Sequence, residues 1–227
     1  MIRTAAKALA LLAAPLIAAV PAGAEVTESS PTHFVVRHAV DVDVTPEDAW
    51  LALIAPGDWW NDAHTWSADA SNMTLTPQAG GCFCEKIPAE DGPDSFGLEG
   101  SVQHMMVVQA VPHKVLRMRG GLGPLQSEPV DGVMTITLQP IEGEEGAPAG
   151  TRITWEYVVG GTMRFKIDEI SKAVDGVIGE QVLGLAKALG GPIDAAEEGD
   201  GDSFDSAFGA GTGEGEETPT TGIPEGR

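Results

Sequence analysis

The chain has 227 residues, with 13 Lys and Arg against 34 Asp and Glu, and a formal net charge of -21. So acidic a chain repels phosphate backbones and anionic lipid head groups, which argues against nucleic-acid binding and against membrane binding through a basic patch. Hydrophobic residues make up 42% of the sequence, enough for a packed core in one or two domains. Its two cysteines are too few for a disulfide scaffold or a four-cysteine zinc site.

The first 24 residues have the features of a secretory signal peptide. Arg3 and Lys7 supply a positive start, and the apolar run Ala8–Val20 is shorter than the ~20 residues that cross a membrane. Ala22-Gly23-Ala24 offers the small residues that signal peptidase recognises. We therefore expect cleavage before Glu25, export to the periplasm or the medium, and no stable membrane insertion afterwards. The alternative is an N-terminal anchor that is never removed.

Composition divides the remaining chain into three parts. Residues 25–32 are expected to form a short N-terminal linker, residues 33–190 a folded domain, and residues 191–227 a disordered tail. The tail is rich in Gly, Asp and Glu and has almost no aliphatic periodicity. Such a segment cannot bury enough apolar surface to offset the entropy lost on ordering.

Alternation of apolar and polar residues predicts antiparallel strands in the folded domain. Thr32–Val44 alternates as a half-buried strand, and Thr45 and Pro46 then supply the N-cap and first position of a short helix. The later gaps are too short for helical crossovers, and Glu142–Gly150 is expected to be a hairpin loop. The further strands predicted are Asn72–Thr76, Cys82–Ile87, Phe96–Ala110, Val115–Arg119, Gly132–Ile141 and Arg152–Val159.

A long helix is predicted to close the domain. Apolar residues recur at steps of three and four from Ile170 to Leu189, which is the pattern of one buried helix face. Gly176, Gly179 and Gly184 interrupt this helix, and each costs about 1 kcal/mol relative to alanine. They indicate either close packing on the sheet or room left for a ligand.

Four segments resemble those of the SRPBCC superfamily, which includes START lipid-transfer domains, the birch pollen allergen family and polyketide cyclases. They are Val44–Trp50, Trp59-Trp60, Gly80–Glu85 and Gly150–Glu156, and the likeness in order and spacing covers roughly residues 33–190. The resemblance implies an α+β helix-grip fold, a curved antiparallel sheet of about seven strands wrapped on a long C-terminal helix with an apolar cavity between them. It does not imply a particular chemistry, because one scaffold hosts many functions.

The residues expected near this cavity are aromatic or sulfur-containing. Methionine adapts to irregular apolar space, which suits a pocket for hydrophobic ligands and suits an ordinary core equally well. The expected partner is a hydrophobic small molecule or a lipid, and no cofactor is expected. We predict as ligand-binding residues Trp59, Trp60, Phe83, Met118, Met134 and Trp155.

Three functions stay open at this point. The first is an exported binding protein for a small hydrophobic molecule. The second is a cyclase- or dehydrase-like enzyme, in which His38 or a pocket carboxylate moves protons; His38 is also explained as a core histidine with a hydrogen-bond partner. The third is a chaperone-like interaction module that depends on the acidic tail. The sequence does not define the ligand, the reaction or the oligomeric state.

Several charged residues have two interpretations each. Arg117 and Arg119 share one strand face, which binds an anionic group if it lines the cavity and otherwise carries ordinary surface charges. A buried carboxylate would have a raised pKa and could act as a general acid or base. The candidates for that role are Glu85, Glu99 and Glu156.

Two further groups are interpreted as structural. Cys82 and Cys84 point to the same strand face with Cα atoms about 6.6 Å apart. They are interpreted as two buried small hydrophobic residues, with a redox-active disulfide as the alternative. Asp58, Asp62 and His64 have no spacing typical of metal ligands, so they indicate a solvated loop and no metal site is expected.

Overall fold

A computed structural model describes residues 25–90, 92, 97–143 and 148–193. These residues form one open antiparallel sheet of eight strands, short helical segments after the second strand, and a long helix at the C-terminal end. The α+β class, the antiparallel sheet and the long C-terminal helix are confirmed, whereas the expected strand number of about seven is wrong. The predicted signal peptide and nearly all of the acidic tail lie outside the described residues.

The sheet is a meander to which one hairpin is added at its end. Its strand order is β1-β2-β8-β7-β6-β5-β4-β3. The strands are β1 (Glu25–Ser30), β2 (His33–Val42), β3 (Met73–Leu75), β4 (Cys82–Ile87), β5 (Gly100–Val111), β6 (Val115–Arg119), β7 (Val130–Glu142) and β8 (Pro148–Gly161). The helices are α1 (Pro46–Leu53) and α2 (Ile167–Ala188), with short 3-10 turns at Pro56–Asp58, Asp62–His64, Ala70–Asn72 and Gly123–Ser127.

The eighth strand, β1, occupies the segment predicted to be a linker. It pairs antiparallel with the first half of β2, where Ser29 lies opposite Phe34. Its sequence is polar and does not alternate, so its extended conformation depends on backbone pairing with β2 and on contact with α2. The β7–β8 hairpin is also longer than predicted, because pairing continues to Glu142 and Pro148.

Helix α1 begins where its sequence predicts. The Thr45 hydroxyl accepts a hydrogen bond from the backbone N–H of Asp48 at 3.1 Å, and Pro46 occupies the first helical position. The acidic side chains of Glu47 and Asp48 lie in the first turn, where they interact favourably with the helix dipole. The helix buries Ala49, Trp50 and Leu53 against the core.

Helix α2 packs closely on β2 and on the segment that contains Trp59 through two of its three glycines. A Cβ atom added at Gly179 would lie 2.8 Å from Cε1 of His38, and one added at Gly184 would lie 2.7 Å from the carbonyl oxygen of Trp59. An added Cβ at Gly176 would have no neighbour within 4 Å. Close packing therefore explains Gly179 and Gly184, and nothing in the structure explains Gly176.

The different surroundings of Gly176 and Gly184 predict that an alanine has opposite effects on stability at these two positions. Gly176→Ala is expected to raise the free energy of unfolding by about 0.5–1 kcal/mol, because alanine favours the helix and meets no obstacle. Gly184→Ala is expected to lower it, because the carbonyl of Trp59 belongs to the backbone and cannot rotate away. Urea unfolding followed by circular dichroism measures both. Equal shifts in the two variants would contradict the packing described for α2.

Candidate functional site

A small apolar cavity lies against the inner face of the sheet, beneath α1 and the segment that follows it. Its volume is about 20 Å³, roughly room for one water molecule. All six residues predicted to bind a ligand lie in its wall; that they bind one stays a prediction. The lining residues are Leu53, Pro56, Trp59, Trp60, Leu75, Phe83, Met105, Leu116, Met118, Leu122, Met134, Ile136 and Trp155.

The cavity is not where the helix-grip resemblance placed it. It was expected between the sheet and the long helix, yet no residue of α2 is among those that line it. Its cover is instead α1 and the segment Pro56–Trp60. Helix α2 lies behind this cover, with Gly184 against Trp59 and the Gln181 Oε1 atom accepting the backbone N–H of Asn61 at 3.0 Å. The long helix therefore supports the cover.

Five rings form a continuous aromatic cluster along one side of the cavity. Neighbouring centroids are 6.0, 5.6, 5.3 and 5.3 Å apart in the order Trp155, Trp59, Trp60, Phe83 and His104. Two of the indoles are also fixed by hydrogen bonds, because Trp59 Nε1 donates to the carbonyl of Ala52 and Trp60 Nε1 to that of His64. The cover is thus held by directed contacts as well as by apolar packing.

The third indole of the cavity, that of Trp155, is not fixed by a hydrogen bond. Trp155 is only 2% exposed, and its Nε1–H is buried with no hydrogen-bond partner. An unpaired buried donor costs about 1–3 kcal/mol. The lining residues around Trp155 are apolar, so they offer no side-chain acceptor.

A buried polar pair, Glu85 and His104, lies at the far end of the aromatic cluster. His104 Nε2 is 2.9 Å from Glu85 Oε2, and the side chains are 4% and 0% exposed. Glu85 also accepts the backbone N–H groups of Trp66 at 3.0 Å and Ser67 at 2.5 Å. One carboxylate therefore ties β4 to β5 and to the loop that contains Trp66.

Sequence alternation alone does not reveal His104 as an inward-facing residue. The β4–β5 register shifts between Phe83 and Cys84, so that β5 carries an extra residue at this point. As a result His104 and Met105 are both buried although they are consecutive. Such a β-bulge breaks the period of two on which strand prediction relies.

The pKa values of this pair follow from burial and hydrogen bonding. Burial lowers the pKa of His104, against the opposing effect of the Glu85 carboxylate. Burial acts to raise the pKa of Glu85, but hydrogen bonds from Ser67, Trp66 and His104 outweigh it, so the pKa is lowered. The pair is therefore a neutral imidazole that donates to a carboxylate, and the expectation of a raised pKa for a buried Glu85 is wrong.

The catalytic candidate His38 lies away from the cavity. It is buried under α2, where its Nε2 atom is 2.9 Å from Asp175 Oδ1, and it is not among the lining residues. This is the environment of a core histidine with a partner. The other two carboxylates considered also lie elsewhere: Glu156 pairs with Arg37, and Glu99 forms an exposed ion pair with Lys86.

The two arginines of β6 are on the outer face of the sheet. Arg117 donates to Thr135 Oγ1 at 3.1 Å and to Gln109 Oε1 at 2.9 Å, while exposed Arg119 pairs with Asp131. Leu116 and Met118, which alternate with these arginines, line the cavity instead. The interpretation as charges outside the cavity is confirmed, and neither arginine can reach a molecule inside it.

Asp62 and His64, two of the loop residues considered as metal ligands, each bind a different partner. Asp62 Oδ1 accepts the backbone N–H of Ala70 at 2.7 Å, and His64 Nε2 is 2.9 Å from Glu180 Oε2. No group of three His, Cys, Asp or Glu side chains is arranged to hold a metal ion within the described ranges. Over the same part of the chain, neither helix combines the length and hydropathy needed to cross a membrane.

Cys82 and Cys84 form a disulfide, so their interpretation as two small hydrophobic residues is wrong. Both are half-buried on the outer face of β4, and Phe83 between them points into the cavity. Their Cα atoms are 5.3 Å apart, which is less than the span of about 6.6 Å in a regular strand. Closing so short a loop restricts the unfolded chain little, about 2 kcal/mol or less in the chain-entropy model.

Comparison with known proteins gives structural likenesses only. The chain is similar to protein CV1439 from Chromobacterium violaceum, with 14% identity, a TM-score of 0.41, and 68% of this chain and 96% of that one covered. It is also similar to an uncharacterised protein from Bacillus thuringiensis, with 14% identity and a TM-score of 0.44; the match covers 68% of this chain and 98% of that one. A third likeness is to DynU16, from the dynemicin biosynthetic locus, with 17% identity and a TM-score of 0.39. The match covers 69% of this chain and 47% of DynU16, so the chain spans about half of that protein.

No family model and no curated protein matches the sequence. Identities and scores as low as those of the structural likenesses leave the function open.

The hydrogen bonds of Glu85 predict a specific stability defect. Glu85→Gln is expected to lower the free energy of unfolding at pH 7 by about 2–3 kcal/mol, because it removes buried bonds to a charged acceptor. Since the folded pKa of Glu85 lies below its usual 4.5, its contribution is complete above that pH and is lost as the pH falls through the folded pKa. The difference in the free energy of unfolding between wild type and variant should therefore become smaller in acid.

The matched control is Glu99→Gln, which removes one exposed ion pair with Lys86. It should change the free energy of unfolding by about 0.5 kcal/mol or less. Urea titrations of the three proteins from neutral to acidic pH provide the comparison. Similar small effects for both variants would show that Glu85 does not anchor the Trp66 loop.

Proposed function

We propose that this protein binds a small hydrophobic molecule in the cavity beneath Trp59 and Trp60, as a helix-grip protein of the SRPBCC type. The observation that carries the proposal is the wall of this cavity, to which each strand from β3 to β8 contributes an apolar side chain. Ligand sites are typically concave, mostly apolar and built on a preformed scaffold. The order of strands and helices agrees with the resemblance found in the sequence.

Binding requires the cavity to open. Its volume is about 20 Å³, whereas small-molecule sites enclose about 300–1,000 Å³. Three of the lining residues, Met105, Met118 and Met134, have unbranched side chains that change rotamer at low cost. The segment Pro56–Trp60 of the cover lies outside the α-helices and the sheet, so it can move without breaking the sheet ladder. We take the structure to be the closed form.

The unpaired indole of Trp155 adds one feature to the ligand. An apolar molecule with a carbonyl or hydroxyl oxygen can accept the Nε1–H, which has no partner in the closed form. Pairing this buried donor is worth about 1–3 kcal/mol. The preferred ligand is therefore apolar over most of its surface and carries a hydrogen-bond acceptor.

Binding has more support than proton-transfer catalysis. The lining residues include no acid or base, and His38 is hydrogen-bonded to Asp175 away from the cavity. The buried Glu85–His104 pair does not line the cavity, and the ring of Phe83, which does, lies next to His104. A general acid or base must come within hydrogen-bond reach of its substrate, and neither pair is among the residues that line the cavity.

Two substitutions in the cavity wall should change the affinity for an apolar molecule in opposite directions. Trp60→Ala enlarges the cavity and is expected to tighten binding of the uncharged dye N-phenylnaphthylamine about tenfold, because more apolar surface is buried. Met118→Phe fills the cavity and is expected to weaken binding by a similar factor. Dye fluorescence measures both dissociation constants, and circular dichroism reports whether each variant is folded.

The control for this experiment is Trp66→Ala, which removes an indole that is 58% exposed and does not line the cavity. It should leave the dye affinity unchanged. If all three folded variants bind the dye like the wild type, or if the wild type does not bind it, the proposed site is refuted.

The role of the Trp155 donor is tested with two probes of equal length. A long-chain methyl ketone should displace the dye at about tenfold lower concentration than the corresponding alkane, because only the ketone accepts the Nε1–H. Trp155→Phe keeps an aromatic ring without the donor and should abolish this preference while the alkane still competes. An unchanged preference in Trp155→Phe would exclude Trp155 as the donor.

A further inference from the structure

The Cys82–Cys84 disulfide serves no purpose in the proposed ligand cavity. Both cysteines are half-buried on the outer face of β4, opposite the side that lines the cavity. Both residues are therefore partly exposed, and this exposure does not depend on any movement of the cover. A molecule can approach them without entering the core.

The bond also contributes little as a structural link. It joins residues separated by two positions, which the chain already holds close together. β4 is paired on both sides, with Thr74 of β3 opposite Cys84 and Met106 of β5 opposite Cys82. The carbonyl of Cys82 additionally accepts the N–H of Thr76 at 2.9 Å. The strand therefore stays in place when the bond is broken, so the disulfide can open in the folded protein.

The segment between the two cysteines is shorter than a regular strand. The two Cα atoms are 5.3 Å apart instead of about 6.6 Å, and the β4–β5 register shifts at the same point. Disulfides that are exposed and easily opened are the ones that exchange with thiols, whereas structural disulfides resist reduction.

We propose that Cys82–Cys84 is a thiol–disulfide exchange site that accepts two electrons from low-molecular-weight thiols. A thiolate attacks one sulfur and forms a mixed disulfide, while the other cysteine leaves as a thiolate and takes a proton. A second thiolate then attacks the sulfur of the bound small thiol. This releases the small-molecule disulfide and leaves two cysteine thiols, so two thiols are oxidised for each disulfide reduced.

The exposure of the two cysteines favours a small thiol over the thiol of a folded protein. Each is recessed between neighbouring strands, and exposed Met106 stands directly opposite Cys82. A small thiolate can reach a recessed sulfur along the S–S axis, while a protein surface meets the neighbouring side chains first. The formal charge of -21 also repels anionic reagents, so an uncharged thiol is the suitable probe.

The test uses the full chain, incubated without denaturant in mixtures of 2-mercaptoethanol and its disulfide, 2-hydroxyethyl disulfide. Free thiols are then alkylated and counted by mass spectrometry, and circular dichroism follows the fold. The expected result is a reversible change between zero and two alkyl groups per chain with an unchanged spectrum. The native rate of reduction should lie within about tenfold of the rate in denaturant, because access limits exchange only in part.

Two results would overturn the proposal. One is reduction that occurs only in denaturant, which means that the bond is inaccessible in the folded protein. The other is two free thiols that persist in an excess of 2-hydroxyethyl disulfide, which means that no disulfide forms.

Single substitutions test the order of the two steps. Cys84→Ser and Cys82→Ser each leave one thiol. A mixed disulfide formed on that thiol cannot be resolved by a second cysteine of the strand. With cystamine, at least one variant should gain the mass of one cysteamine per chain, and dithiothreitol should remove it. Cys82→Ser/Cys84→Ser is the control and should gain no mass. Failure of both single variants to form the adduct while they remain folded would also overturn the proposal.

Discussion

The inner face of this sheet is wider than one helix can cover, and the rest of the structure depends on how the uncovered part is closed. Strands are about 4.8 Å apart and a helix is about 10 Å across, so α2 can cover two or three strands. It contacts β1 and β2 at one end of the order β1-β2-β8-β7-β6-β5-β4-β3. The apolar face from β8 to β3 must be covered by α1 and Pro56–Trp60. Trp59 and Trp60 suit this role because each ring covers a large apolar area with few residues.

Strand β4 is the place where the cavity, the loop and the outer face meet. Phe83 lines the cavity, and Glu85, two residues further, holds the Trp66 loop through backbone N–H groups. Cys82 and Cys84 alternate with these residues and point outward. The same bulge that turns His104 inward coincides with the contracted segment between the cysteines. A change on the outer face at this point therefore acts directly on the backbone that positions Phe83.

The sequence predicts the elements that depend on local pattern. The bounds of β4 and β6, the N-cap of α1 and the stripe of α2 follow from alternation, capping and helical periodicity, and the structure reproduces them. What it does not predict depends on contacts between distant residues. β1 is a strand because β2 is beside it, since its own sequence is polar. His104 faces inward because of a bulge, and the cavity lies under the Trp59–Trp60 cover because α2 packs elsewhere.

The size and chemistry of six residues predict that they lie near a cavity, and they line it because the inner faces of β4 and β6–β8 converge beneath Trp59 and Trp60. Two of their features depart from a well-optimised core. Protein interiors are close-packed and pair nearly all buried polar groups, yet this one keeps a void, and one of the residues that line it, Trp155, has an indole donor without a partner. Departures from local rules occur most often where function requires them. Here both departures lie within one apolar wall, and a molecule that filled the void and accepted the Trp155 N–H would correct both at once.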